Sequence, residues 1–341
     1  MVVTFPDPMW DTLSPGDAGF DPVRLQAAHR WQEERAADAR YARYRTVIVR
    51  GGCLVAEWHC GLDRHDRLRL ASAAKSIFAS LLGIAIAQGR IPSADARLID
   101  FYPEALDVPD GQGPKAGRYV FPENRAITFR QLISNTSGYM KPGEAPGKVF
   151  HYQTYGMNVL THAIAKTYGL YSVADPEGSP GFKVLVDQTL RIPIGATWGY
   201  YLANFDLHPQ ARINVFGYYD GVSATARDMA RLGWLWRNEG RWQEKQLIPA
   251  AWMREATRTA PMILENCPQE QWKYGYGFWT NDHGQLWPHL PRDAYAASGA
   301  GSQHIWVCPS LDLVVAQSPG QWQNQAENDS GLLSRIVDAL A

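Results

Sequence analysis

Apolar positions along the chain change their spacing four times, and each change predicts a switch between helix and strand. Residues 20–39 (FDPVRLQAAHRWQEERAADA) place them at helical intervals and predict an amphipathic helix. Residues 45–52 (RTVIVRGG) and 53–61 (CLVAEWHCG) are short β-rich runs parted by glycines, which predicts a hairpin. From 91 to 240 the spacing is mostly helical between Pro and Gly breaks, as in ITFRQLISNTSG, YGMNVLTHAIAKTYG and TARDMARLGWLWRNEG. Beyond 240 the β-rich runs YGYGFWT, SQHIWVCP and LDLVVAQS return, before a last helix from about Gly331. Strands near both ends with helices between them predict an α/β (α+β) fold, with one sheet drawn from both chain ends and a mostly helical insertion. The chain then divides as one catalytic unit, 1–341, in two lobes: 1–90 with 241–341, and 91–240.

One segment breaks the hydrophobic logic. In RLASAAKSIFASLLGIAIAQGR, residues 69–90, Lys75 is the sole charge between Ala71 and Gln88. Ile77, Phe78, Leu81, Leu82, Ile84 and Ile86 fall on every side of a helical wheel, which describes a buried helix. A buried ammonium is costly unless it is paired or loses its proton. Ser72 lies one helical turn before it, on the same face. From this segment alone, a lysine snorkelling to the surface fits as well as a functional one. A membrane span needs roughly 20 apolar residues. The uncharged run Ile77 to Ala87 is shorter and is interrupted by Ser80 and Gly83, so no span is predicted.

Composition narrows the field. The 341 residues carry 33 basic and 34 acidic side chains with no basic run, which gives no support for nucleic acid as a partner. Cys53, Cys60, Cys267 and Cys308 show neither C-x-x-C spacing nor clustering with histidine, so neither a zinc site nor a disulfide framework is indicated. The opening MVVTFPDPMWDTLSPGD lacks a basic region followed by an apolar stretch, which predicts a cytoplasmic chain, although an exported chain trimmed of its signal looks the same. Nine histidines are scattered without metal-ligand spacing. G-x-S-x-G, H-E-x-x-H, G-x-G-x-x-G and the P-loop are all missing. No metal and no cofactor is predicted.

What remains is S-x-x-K at Ser72 to Lys75, weak by itself. It is followed in order by ITFRQLISNTSGY, PGKVFHYQTYGMNVL, TARDMARLGWLWRNEGRWQEKQLIPAAWM and ASGAGSQHIWVCPSLDLVVA. With these five motifs the chain, from about residue 40 to about 320, resembles the serine β-lactamase-like superfamily. It is most similar to the branch of class C β-lactamases, family VIII esterases and 6-aminohexanoate-dimer hydrolases. The resemblance implies a β-lactamase/transpeptidase-like fold with an antiparallel sheet flanked by helices. It implies Ser72 as nucleophile, Lys75 as its partner and Tyr152 as a second proton-transfer group. Thr154 stands where the family has an Asn, and Ala297-Ser298-Gly299 replaces Lys-Thr-Gly. Thr154, Ser298 and Gly299 are then substrate-binding positions, and the N–H groups of Ser72 and Ala300 form an oxyanion hole.

The chemistry is consistent with those roles. A serine hydroxyl needs a neighbour that accepts its proton, and lysine does so once burial lowers its pKa. A tyrosine beside an ammonium is expected to have its own pKa pulled down. The expected substrate is a small-molecule ester or linear amide. A β-lactamase or D,D-peptidase, and a catalytically silent penicillin-binding-like receptor, remain the alternatives. Ala297 removes a positive charge from the pocket, and Arg292, five positions upstream, is the residue expected to restore one if any does. Trp287, Trp322 and Tyr155 are expected in the core. The sequence leaves open which other aromatics line the cleft, and it leaves the oligomeric state open as well.

Overall fold

Tyr44–Arg50 is buried along almost its whole length, and alternation explains how. Val47 and Val49 enter one apolar cluster, while Tyr44 and Ile48 enter another on the opposite face. Leu313–Gln317 divides in the same way, with Val314 and Ala316 on one side and Leu313 and Val315 on the other. A strand covered on both faces reads as a continuous apolar run, as both of these do. The structure is a computed structural model and describes residues 4–39, 41–203, 207–320 and 331–340. Trp322 therefore lies outside the described residues.

The main sheet has six strands in the order Cys53–Cys60, Tyr44–Arg50, Leu313–Gln317, Gln303–Cys308, Tyr295–Gly299, Trp279–Thr280. Every neighbouring pair is antiparallel, so the sheet is drawn from both ends of the chain as expected. One face is covered by Pro22–Arg35, whose first turn is capped by the Asp21 carboxylate, together with Leu332–Asp338. The other face carries Ala226–Arg237, capped by Thr225, and Lys75–Ala87. Among the described residues no helix is long and apolar enough to cross a membrane.

Two stretches differ from the reading of the sequence. YGYGFWT forms a strand only at Trp279–Thr280. Gly277, in the left-handed region at φ 74°, turns the chain there, and Tyr274 bridges back to Trp279. Within the mostly helical 91–240 region, Gly199–Ala203 pairs with Tyr219–Ala224, which in turn pairs with Leu68–Arg69 just before Ser72. This three-stranded sheet was not expected.

The Lys75–Ala87 helix is buried on all sides, from Lys75 through Ala85. Its polar groups are satisfied within the core. Ser76 Oγ donates to the Gly277 carbonyl at 2.6 Å, and Trp236 Nε1 donates to Ser80 Oγ at 3.1 Å.

Candidate active site

Ser72 sits in a 3-10 turn, Ala71–Ala74, that runs directly into the Lys75–Ala87 helix. The residue before it is held in an uncommon backbone state. Ala71 has φ 47°, left-handed for a residue with a Cβ, which costs on the order of 1 kcal/mol. Two tyrosines stand against it: the Tyr219 hydroxyl donates to the Ala71 carbonyl, and the Ala71 backbone is near enough to Tyr201 to act on its phenol. Both tyrosines come from the unexpected strand pair, which gives that pair a purpose at the site.

Lys75 Nζ lies 2.7 Å from Ser72 Oγ and 3.4 Å from Thr154 Oγ1. Lys75 is 1% exposed, and no carboxylate pairs with it among the described residues. Burial alone drives its pKa from the usual 10.5 to about 7. The aromatic faces of Tyr152 and Tyr219, 4.7 and 5.6 Å from Nζ, are its remaining electrostatic company.

Tyr152 faces Ser72 in one cleft, close enough for the serine hydroxyl to act on its phenol. Its backbone is pinned on both sides by Asn135, whose carbonyl accepts the His151 N–H at 2.9 Å and whose Oδ1 accepts the Gln153 N–H at 3.0 Å. Its ring stacks on Trp279 at 5.4 Å and meets the edge of Tyr274 at 5.7 Å. This packing reverses the expected pKa direction. Burial raises the Tyr152 phenol to about 12, and the neighbouring Ser72 hydroxyl offsets only part of that. Tyr152 is thus a protonated phenol at neutral pH.

A cleft of about 540 Å³ opens over Ser72 and Tyr152, bounded by Trp279 and by the Ser298–His304 hairpin, which includes Ala300, Gly301 and Ser302. Among the described residues none of the side chains lining it carries a fixed charge. Ser298 Oγ is 3.1 Å from His304 Nδ1, and the two residues face each other across adjacent strands. Gly299 is dictated by packing as well as by the cleft: a Cβ there falls 2.0 Å from the Leu70 carbonyl oxygen and 2.8 Å from the Ala73 nitrogen. The strand edge therefore abuts the turn that carries Ser72.

Of the positions expected from sequence, Ser72, Tyr152, Ser298, Gly299 and Ala300 meet at the cleft. Thr154 lies one layer deeper and contacts Lys75. Ala297 is buried in the apolar core. Arg292 packs against Gly284 and is not part of the cleft wall, so it does not restore the missing charge. Trp287 and Tyr155 are buried as expected. Asn135, Tyr201, Tyr219, Trp279 and His304 were not singled out from sequence. Asn135 lay inside ITFRQLISNTSG, His304 inside ASGAGSQHIWVCPSLDLVVA and Trp279 inside YGYGFWT, whereas Tyr201 and Tyr219 fell in no quoted run.

The chain belongs to the Beta-lactamase family, whose sequence profile matches residues 30–318. Solved structures of the same fold are similar to it over nearly its full length. One is EstCE1, a hydrolase with promiscuous acyltransferase activity, at 16% identity over 93% of this chain and 98% of that one, with a TM-score of 0.66. Another, from Bacillus anthracis, is assigned as a 6-aminohexanoate-dimer hydrolase, at 16% identity over 99% of this chain and 89% of that one, with a TM-score of 0.61. A penicillin-binding protein homologue from Caulobacter crescentus has 16% identity over 88% and 92%, with a TM-score of 0.61.

Proposed function

We propose that the chain is a serine hydrolase that cleaves small carboxylic esters or linear amides through an acyl-enzyme on Ser72. The observation that carries this reading is the lone buried Lys75, held 2.7 Å from Ser72 Oγ with a pKa near neutrality. Neutral Nζ takes the Ser72 proton as Oγ bonds to the substrate carbonyl carbon. The N–H groups of Ser72 and Ala300 receive the negative oxygen. Tyr152 gives its phenol proton to the departing alcohol or amine and regains one from the Lys75 ammonium. Water then adds to the acyl carbonyl with Lys75 again as base, the acid leaves, and Ser72 recovers its proton. Thr154 holds Lys75 in place, and Ser298 and Gly299 line the substrate's path.

The whole chain acts as one unit in this reading. Ser72 and Ser298 come from the lobe of 1–90 and 241–341, and Tyr152 comes from 91–240. An uncharged cleft wall favours neutral substrates over β-lactams and D-Ala-D-Ala peptides, whose carboxylate finds no cation in place of Ala297. A missing charge-assisted contact is a penalty of roughly tenfold to a hundredfold. The kcat/KM for p-nitrophenyl butyrate is therefore expected to exceed that for nitrocefin on one preparation. The reverse ranking makes the chain a β-lactamase-like enzyme. Turnover of neither, with no covalent adduct at Ser72, makes it a silent receptor.

A further inference from the structure

A second cavity, of about 610 Å³, is lined in part by Tyr201. Tyr171, Tyr200, Tyr201 and Tyr218 wall it, with Asp220 in the wall. The Tyr171 hydroxyl donates to the Asn214 carbonyl at 2.8 Å, and the Tyr200 hydroxyl donates to the Asp187 carboxylate. Both hydroxyls are thus engaged by protein acceptors, and the Tyr171 ring stacks on His162, another residue of the wall, at 4.1 Å. Asp220 has no ion pair or side-chain hydrogen bond among the described residues, and desolvation raises its pKa to about 6. Lys183 acts on it from the exposed rim without closing to a salt bridge. Among the described lining residues Glu177, also on the rim, makes two carboxylates against one ammonium, and the Arg69 guanidinium already lies 4.6 Å from the centre of the Tyr201 ring. Aromatic faces around an unpaired carboxylate suit an organic cation, which gains both ring quadrupole and charge.

The strand Tyr219–Ala224 joins this cavity to the reaction centre. Tyr218 and Asp220 line the cavity, and Tyr219 between them donates its hydroxyl to the Ala71 carbonyl, next to Ser72, and holds its ring 5.6 Å from Lys75 Nζ. We propose that the tyrosine-walled cavity receives an alkylammonium group carried by the substrate, a specificity that rests on the hydrolase reading above. The substrate is then a neutral ester or amide at its reacting end and a cation at its far end. The uncharged cleft wall and the acidic cavity thereby serve two parts of one molecule.

Choline and its uncharged isostere 3,3-dimethylbutanol test the cavity by calorimetry on the intact protein. Butyrylcholine and 3,3-dimethylbutyl butyrate test it by kinetics. Choline is expected to bind at least ~10-fold more tightly than the isostere, and Asp220→Asn is expected to erase that difference. Lys183→Glu, an exposed change that does not threaten folding, is expected to tighten choline several-fold. The kcat/KM ratio of butyrylcholine to the isosteric ester is expected to exceed about 10 and to fall toward 1 in Asp220→Asn. Equal binding of the two alcohols, or a ratio near 1 in the unmodified protein, overturns the proposal and leaves the hydrolase reading standing. Asp220-dependent choline binding without cleavage of either ester overturns the hydrolase reading and leaves the cation site standing.

Discussion

Lys75 is buried beside the Ser72 cleft and Asp220 stands in the wall of the second cavity, and neither forms an ion pair among the described residues. Burial pushes the lysine down to about 7 and the carboxyl up to about 6, so each sits near the point where it loses its charge. Their surroundings differ in what they leave open. Lys75 is 1% exposed and faces a hydroxyl 2.7 Å away, so its lone pair has a proton to take. Asp220 is partly exposed in a cavity lined by tyrosines, so its charge is open to a ligand. A lone buried base beside a nucleophile is chemistry, and a lone acid beside open space is recognition.

Removing the nucleophile is the harshest test of that contrast. Ser72→Ala is expected to lower ester turnover by about 10³ or more, with folding almost unchanged because Ser72 caps no helix. Activity above a few per cent of the parent places the nucleophile elsewhere.

Lys75→Ala and Tyr152→Phe come next, each expected to lower kcat by about 10². The double variant is expected to be little worse than the weaker single one, because residues that share one proton path are not additive. Fully additive losses break the idea that the phenol and the lysine form one relay.

A smaller effect sharpens the comparison through stability. The unfolded chain keeps its lysine proton up to about pH 10.5, whereas the folded protein releases it near pH 7. Over that window the unfolded state holds more protons, so the contribution of Lys75 to stability rises with pH and is least favourable below pH 7. Lys75→Met is therefore expected to stabilise the fold by about 1–4 kcal/mol at pH 6 and by less at pH 9. Equal gains at both pH values in denaturant titrations mean that the lysine is not desolvated.

How much of this could be read from sequence depended on how local each feature is. Ser72 and Lys75 are one helical turn apart, and the apolar run around them announced a buried charge. The apolar strands at 44–50 and 313–317 were legible because both of their faces are covered. Gly199–Ala203 and Tyr219–Ala224 were not, because GYYLA and YDGVSA show neither clean alternation nor a continuous apolar run. Tyr201, Tyr219 and Asp220 ride on those strands and reach the site only through pairing with Leu68–Arg69. The Tyr152 pKa was misjudged for a related reason. A neighbouring ammonium argues downward, but the packing of Trp279 and Tyr274 around the ring decides the sign.

The central claim is that burial alone makes Lys75 the base for Ser72. The rate at which an organophosphonate ester labels the protein, followed by intact mass and peptide mapping from pH 5.5 to 9, tests it most directly. The account predicts one adduct, on Ser72, whose formation rate climbs through a midpoint near pH 7 and loses that pH dependence in Lys75→Ala. A rate flat across the range, or an adduct on another residue, contradicts it.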